Sequence, residues 1–86
     1  VSVIVKRIGR FEIYGQMIER APRAVLAVLN GCIVTRAEHM HHKDAIDYIA
    51  IAEHFEPIDR GAQVPWYDVT IQDLRGGKYH VTWAKR

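Results

Sequence analysis

The stretch AVLAVLNGCIVTR, residues 24 to 36, decides the fold, because its central Asn30-Gly31 pair either ends a helix or turns one strand back onto another. In favour of a helix over residues 21 to 30 are its alanines, Pro22 for a first turn and Gly31 as a C-terminal cap. Against it, Ala21 offers no side-chain acceptor as an N-cap, and the apolar run has no polar face at helical spacing. After the glycine, "CIVT" is strand-like through its β-branched residues. Asn-Gly tolerates the positive φ values of a type I′ turn, so the sequence predicts a hairpin pairing residues 25 to 29 with 32 to 36. That register sets Leu29 opposite Cys32, Val28 opposite Ile33, Leu26 opposite Thr35 and Arg23 opposite Glu38. Both faces of such a hairpin are apolar near the turn, so it requires cover on two sides.

Downstream, Lys43 to Phe55 ("KDAIDYIAIAEHF") predicts one long helix. Ala45, Tyr48, Ile49, Ala52 and Phe55 form an apolar stripe at about 100° per residue, with Asp44 and Asp47 near the positive end of the dipole. Pro57 stops it, and "PIDRGAQVP" reads as a loop. The end, "WYDVTIQDLRGGKYHVTWAKR", predicts a second hairpin. Only a three-residue loop, Arg75-Gly76-Gly77, aligns Tyr67, Val69 and Ile71 with Tyr79, Val81 and Trp83 on one face, which matches a type I turn plus bulge. Near the start, "SVIV" is a strand candidate. Residues 9 to 21 fit either a strand through Phe11 and Ile13 or a helical stripe, and Gly15 and Pro22 favour the strand. The expected fold class is α+β: an antiparallel sheet of four to six strands, built from two hairpins, with one long helix packed on a face.

Composition bounds the class. At 86 residues the chain has room for one small domain, residues 1 to 86. An apolar share of 49% with 26% charged residues is the balance of a globular protein. No apolar run approaches the roughly 20 residues that span a bilayer, and the basic residues follow the first apolar run, the reverse of a secretory leader. No membrane association is expected. With Cys32 as the single cysteine, no internal disulfide forms, and a cytoplasmic location is the expectation. The net charge of +2 is uneven: +4 over residues 1 to 36, −6 over 37 to 73 and +4 over 74 to 86. The bland reading is that the acidic middle folds against the basic ends; a basic face for nucleic acid requires those ends to meet.

Little in the sequence carries catalysis. Ser2 is the only serine, and Cys32, in an apolar hairpin, reads as a buried inert thiol. Asp44 with Asp47, and Glu53 with Glu56, read as solvated helix charges, and "RGGK" as a turn rather than a phosphate loop. His39 and His41 of "HMHHKD" point the same way in an extended segment, and His54 or Asp44 would complete a site, but no paired thiol supports one. The expectation is therefore no enzyme, no metal and no cofactor. An open sheet face carrying Trp66, Thr70, Lys78 and His80, with Arg75 at the turn, has the ingredients of a stacking platform, which makes nucleic acid the second partner class.

The favoured reading is a small interaction protein. One helix cannot cover both faces of the expected sheet, so Val25, Ala27, Leu29, Cys32 and Val34 are the expected homodimer interface. The order "NG", "DAIDYIA", "EHFEPI" and "VPWYDV", over about residues 28 to 71, resembles small uncharacterised accessory proteins of phages and other mobile bacterial DNA. That resemblance implies an accessory role in a bacterial cell, by binding or inhibiting another macromolecule, and no particular chemistry.

Overall fold

The computed structural model describes residues 6 to 59 and 61 to 86; the strand candidate at residues 2 to 5 lies outside them. The chain runs through β1 (Lys6–Tyr14), α1 (Gly15–Arg20), α2 (Pro22–Leu29) and β2 (Ile33–Met40). A single 3-10 turn at His41–Lys43 leads to β3 (Ala45–Ile51), β4 (Pro57–Ile58), β5 (Tyr67–Asp73) and β6 (Tyr79–Lys85). A four-stranded sheet has the order β2-β3-β1-β4, all neighbours antiparallel, and β5-β6 forms a second, two-stranded sheet. The class is α+β, but the helices are short and the expected long helix does not exist.

The opening stretch is a helix followed by a strand, not a hairpin. Pro22 occupies the first turn of α2, and the Ala21 carbonyl, rather than a capping side chain, accepts the N–H groups of Ala24 and Val25. Ala24, Val25 and Val28 are buried on one side while Leu26 is 68% exposed, the one-sided burial of a helix. Asn30 donates its N–H to the Leu26 carbonyl, and Gly31 follows at φ +80. The left-handed conformation that a type I′ turn needs is used instead to end a helix, which Gly serves equally well.

The second correction is β3. Residues 45 to 51 are the inner strand between β1 and β2, not a helix. No residue of β3 is exposed on either face, so the strand loses the polar alternation of a half-exposed one, and its apolar run then mimics a helical stripe. Asp44 takes the left-handed conformation (φ 45, ψ 59) that turns the chain into β3, so it does not sit in a helical first turn. Residues 9 to 21 are strand only as far as Tyr14 and helix from Gly15 to Arg20.

The C-terminal hairpin has the expected register: Val69 faces Trp83 and Ile71 faces Val81 around an Arg75-Gly76-Gly77 loop. The turn type differs, because Arg75 joins both glycines at positive φ. Between the two sheets lies the core. Phe11 and Phe55 are fully buried, and Phe11 stacks on Tyr48 at 5.3 Å and meets Trp83 edge-on at 4.9 Å. Gly9 makes this possible: a β-carbon there would lie 2.8 Å from the Tyr67 ring and 3.0 Å from Phe55. The Tyr67 hydroxyl accepts the Glu56 N–H at 2.9 Å, so its polar end is satisfied.

Candidate functional site

Partners directly opposite in a β-ladder point to the same side. The ladders therefore place four rows across the sheet face turned away from Phe11: Ile33, Ile51 and Ile8; then Arg36, Ile49 and Arg10; then Glu38, Asp47 and Glu12; then Met40, Ala45 and Tyr14. A bulge at Thr35 keeps Ile33 and Arg36 in one phase, and the Thr35 hydroxyl donates to the Ile49 carbonyl at 3.0 Å. The basic and acidic rows neutralise each other. Arg36 pairs with Glu38 at 3.0 Å, Lys43 with Glu12 at 2.9 Å, and Arg10 holds both oxygens of Asp47, with Nε 3.0 Å from each. Lys43 holds the Glu12 carboxyl below the usual carboxylate range, outweighing its desolvation. The hydrogen bond to Asp47 raises Arg10 further above its ordinary value.

At the margin of this sheet, β2 pairs with β3 on one side and with no strand on the other among the described residues. Every residue from Ile33 to His39 is exposed. A row of free backbone N–H and C=O groups of this kind is a template for another strand.

The expected stacking platform does not assemble. Trp66 is half-buried, with the Arg10 guanidinium 4.4 Å and that of Arg86 5.2 Å from its ring centre. Arg86 is in turn fixed to Asp68 at 2.7 Å. Cations of the chain itself already occupy the ring. Thr70 and His80 lie in the exposed row of the β5-β6 hairpin, while Arg75 and Lys78 are at its tip. The length of β5, roughly 20 Å, separates those two residues from Trp66.

Nor do the five expected interface residues form one sheet face. Val25 belongs to the core, Ala27, Leu29 and Cys32 are half-buried, and only Val34 is exposed, on a different element from the first three. Cys32 donates its thiol to the Val28 carbonyl at 3.6 Å, and burial pushes its pKa up, away from a reactive thiolate. His39 and His41 do meet, edge to face at 4.3 Å, with Asp44 3.6 Å from His39. His54 is elsewhere, stacked on Trp83 at 4.5 Å, and burial lowers its pKa. Among the described residues no group of three or more His, Cys, Asp or Glu side chains could hold a metal ion, and no helix is long and apolar enough to cross a membrane.

The open β2 edge was hidden from sequence reasoning, because a hairpin centred on Gly31 pairs that strand with residues 25 to 29. The signal that could have found it is the alternation of charge in "TRAEH", which suits a half-exposed strand. Comparisons with known protein families, with curated proteins and with solved structures yield no match.

Proposed function

We propose that the protein is a non-catalytic accessory module that acts by macromolecular interaction and pairs with a second copy of itself along β2. The observation that carries this reading is the exposed, one-sided edge from Ile33 to His39 together with its charge order. Consider antiparallel pairing across a twofold axis at Ala37. Arg36 then faces Glu38 of the second copy and Glu38 faces its Arg36, so the two internal ion pairs merge into an alternating ring of four charges. Shifting the axis to Arg36 or Glu38 places like charges opposite each other. Ala37 at the axis adds no bulk between the strands. An edge protected by lysines alone would repel its own copy; this one carries both signs. The bulge at Thr35 ends regular pairing on one side, which limits the contact to a short ladder rather than an open-ended one.

The test is a cysteine at the axis. In a Cys32→Ser background, Ala37→Cys brings two thiols together at the spacing of directly opposite strand residues, about 4.5 to 5.5 Å between α-carbons, within disulfide range. Oxidation is expected to yield a covalent dimer, whereas Leu26→Cys, on the exposed side of α2, yields none. A monomer by light scattering at all concentrations up to about 1 mM, with no Ala37→Cys dimer, would remove the reading.

A further inference from the structure

We propose that the groove between the α1–α2 corner and the tip of the β5-β6 hairpin binds the phosphate backbone of single-stranded nucleic acid. The groove encloses about 510 Å³ and is lined by Met17, Arg20, Pro22, Arg23, Asp73 and Tyr79 among others. A β-carbon added at Gly77 would lie 3.8 Å from Arg23 Nη1, so this guanidinium reaches the hairpin tip between Arg75 and Lys78.

Among the described residues, the disposition of charge distinguishes this corner. Arg10, Arg36, Lys43, Lys85 and Arg86 are each ion-paired, and Arg7 donates to the Phe55 carbonyl at 3.1 Å. Arg20, Arg23, Arg75 and Lys78 have neither an ion pair nor a side-chain hydrogen bond among the described residues; Arg20 and Arg23 line the groove, and Arg75 and Lys78 flank Gly77 at the hairpin tip that Arg23 reaches. A single carboxylate, Asp73, opposes them, and it already accepts the Arg75 backbone N–H at 2.8 Å. Glu19, on the same helix as Arg20, lines a different cleft with Gly15, His39 and Asp44. Like charges held together without counter-charge cost stability, and a polyanion relieves that cost.

The floor selects among polyanions. Tyr79, Met17 and Pro22 line the same groove as Arg20 and Arg23 and add an aromatic ring and apolar surface to the cations, a combination suited to unstacked bases between phosphates. An acidic peptide would use the cations and leave that floor unused. Three of the four cations are arginines, whose forked donors match phosphate oxygens.

The experiment is fluorescence anisotropy with labelled single-stranded oligo(dT) of about 15 nucleotides, and with a poly-glutamate of equal charge as competitor. Expected is binding that weakens with salt, with a log–log slope of about −2 to −3 for three or four phosphate contacts. Arg23→Glu with Arg75→Glu, both at exposed positions, is expected to lower affinity at least about a hundredfold while the melting temperature holds. Tyr79→Leu, which keeps the apolar floor, is expected to cost about tenfold by removing stacking. No binding at about 50 mM salt, equal displacement by poly-glutamate, or binding unchanged by the double reversal would each overturn the proposal. Arg36→Glu, on the far β2 edge, is expected to leave oligonucleotide binding intact, so failure of this groove and failure of β2 pairing are separable.

Discussion

Asp47, 6% exposed in the middle of β3, is held across the ladder by Arg10 of β1, whose guanidinium also lies over Trp66. One arginine thus ties the inner strand of the large sheet to the segment entering β5. Arg10→Met leaves a buried carboxylate without its partner and uncovers the indole, and is expected to destabilise by about 2 kcal/mol, less than a fully buried pair because Arg10 is partly exposed. Asp47→Asn, which keeps an acceptor for Arg10, is expected to cost about half as much. Urea melts of the two variants measure the difference. Equal costs would show that charge is not what holds this contact.

Gly9→Ala is expected to destabilise by about 1 to 3 kcal/mol, because the new methyl enters the rings of Tyr67 and Phe55, neither of which has room to withdraw. Gly31→Ala meets no atom within 4 Å, yet its φ of +80 predicts a cost of about 1 kcal/mol from backbone strain alone. Comparing the two by thermal denaturation separates crowding from strain.

Charge reversal reads out the β2 edge. Arg36→Glu turns two attractive cross-copy pairs repulsive and is expected to weaken self-association by about 2 kcal/mol, roughly thirtyfold in Kd. Arg36→Glu with Glu38→Arg restores the alternation and is expected to return association close to that of the original chain. Sedimentation equilibrium measures both, and a double variant as weak as the single one would rule out this register.

Stability is expected to fall on acidification in two windows. Burial lowers the pKa of His54 below its ordinary 6.5, so the folded state favours the neutral ring. The contribution is complete above 6.5 and is lost as pH falls towards the folded value. Lys43 lowers the pKa of Glu12, whose contribution is complete above its ordinary 4.5 and is lost as pH falls through the depressed value. His54→Gln is expected to flatten the upper window and Glu12→Gln the lower one in melting temperature against pH. Because His54 stacks on Trp83, the upper window is also expected as a change in tryptophan emission.

The β5-β6 hairpin was legible in the sequence because one of its faces meets the core and the other meets water, so the alternation from Tyr67 to Trp83 survives intact. β1 was legible only in part: Phe11 and Ile13 alternate as a strand, but residues 9 to 21 also fit a helical stripe, and the chain turns helical at Gly15. Ala45 to Ile51 lacked that contrast, since both faces of β3 are buried or half-buried and the strand shows no water-facing period. At Asn30-Gly31 the positive φ expected of both residues holds for Gly31 alone, Asn30 being extended at φ −64. A left-handed glycine serves helix end and hairpin turn alike, and the one-sided burial of Val25 and Val28 separates them. Of the four cations at this corner, Arg75 and Lys78 were visible as a turn pair, whereas Arg20 and Arg23 come near them only because α2 packs on the hairpin.

The extra residue at Thr35 also sets the rules by which β2 can change length. It shifts the phase of the strand, so that Ile33 and Arg36 share a side although an odd number of steps separates them. Deleting Thr35 would leave Ile33, Val34 and Arg36 opposite Ile51, Ala50 and Ile49 as a regular ladder, with Ile33 and Arg36 still outward and Val34 still inward. Loss of this one residue therefore preserves which positions face the core, whereas straightening the strand with Thr35 retained would exchange them in the segment leading back to α2. Drift in this chain is expected to shed the extra residue at Thr35 more readily than any of the partnered residues beside it.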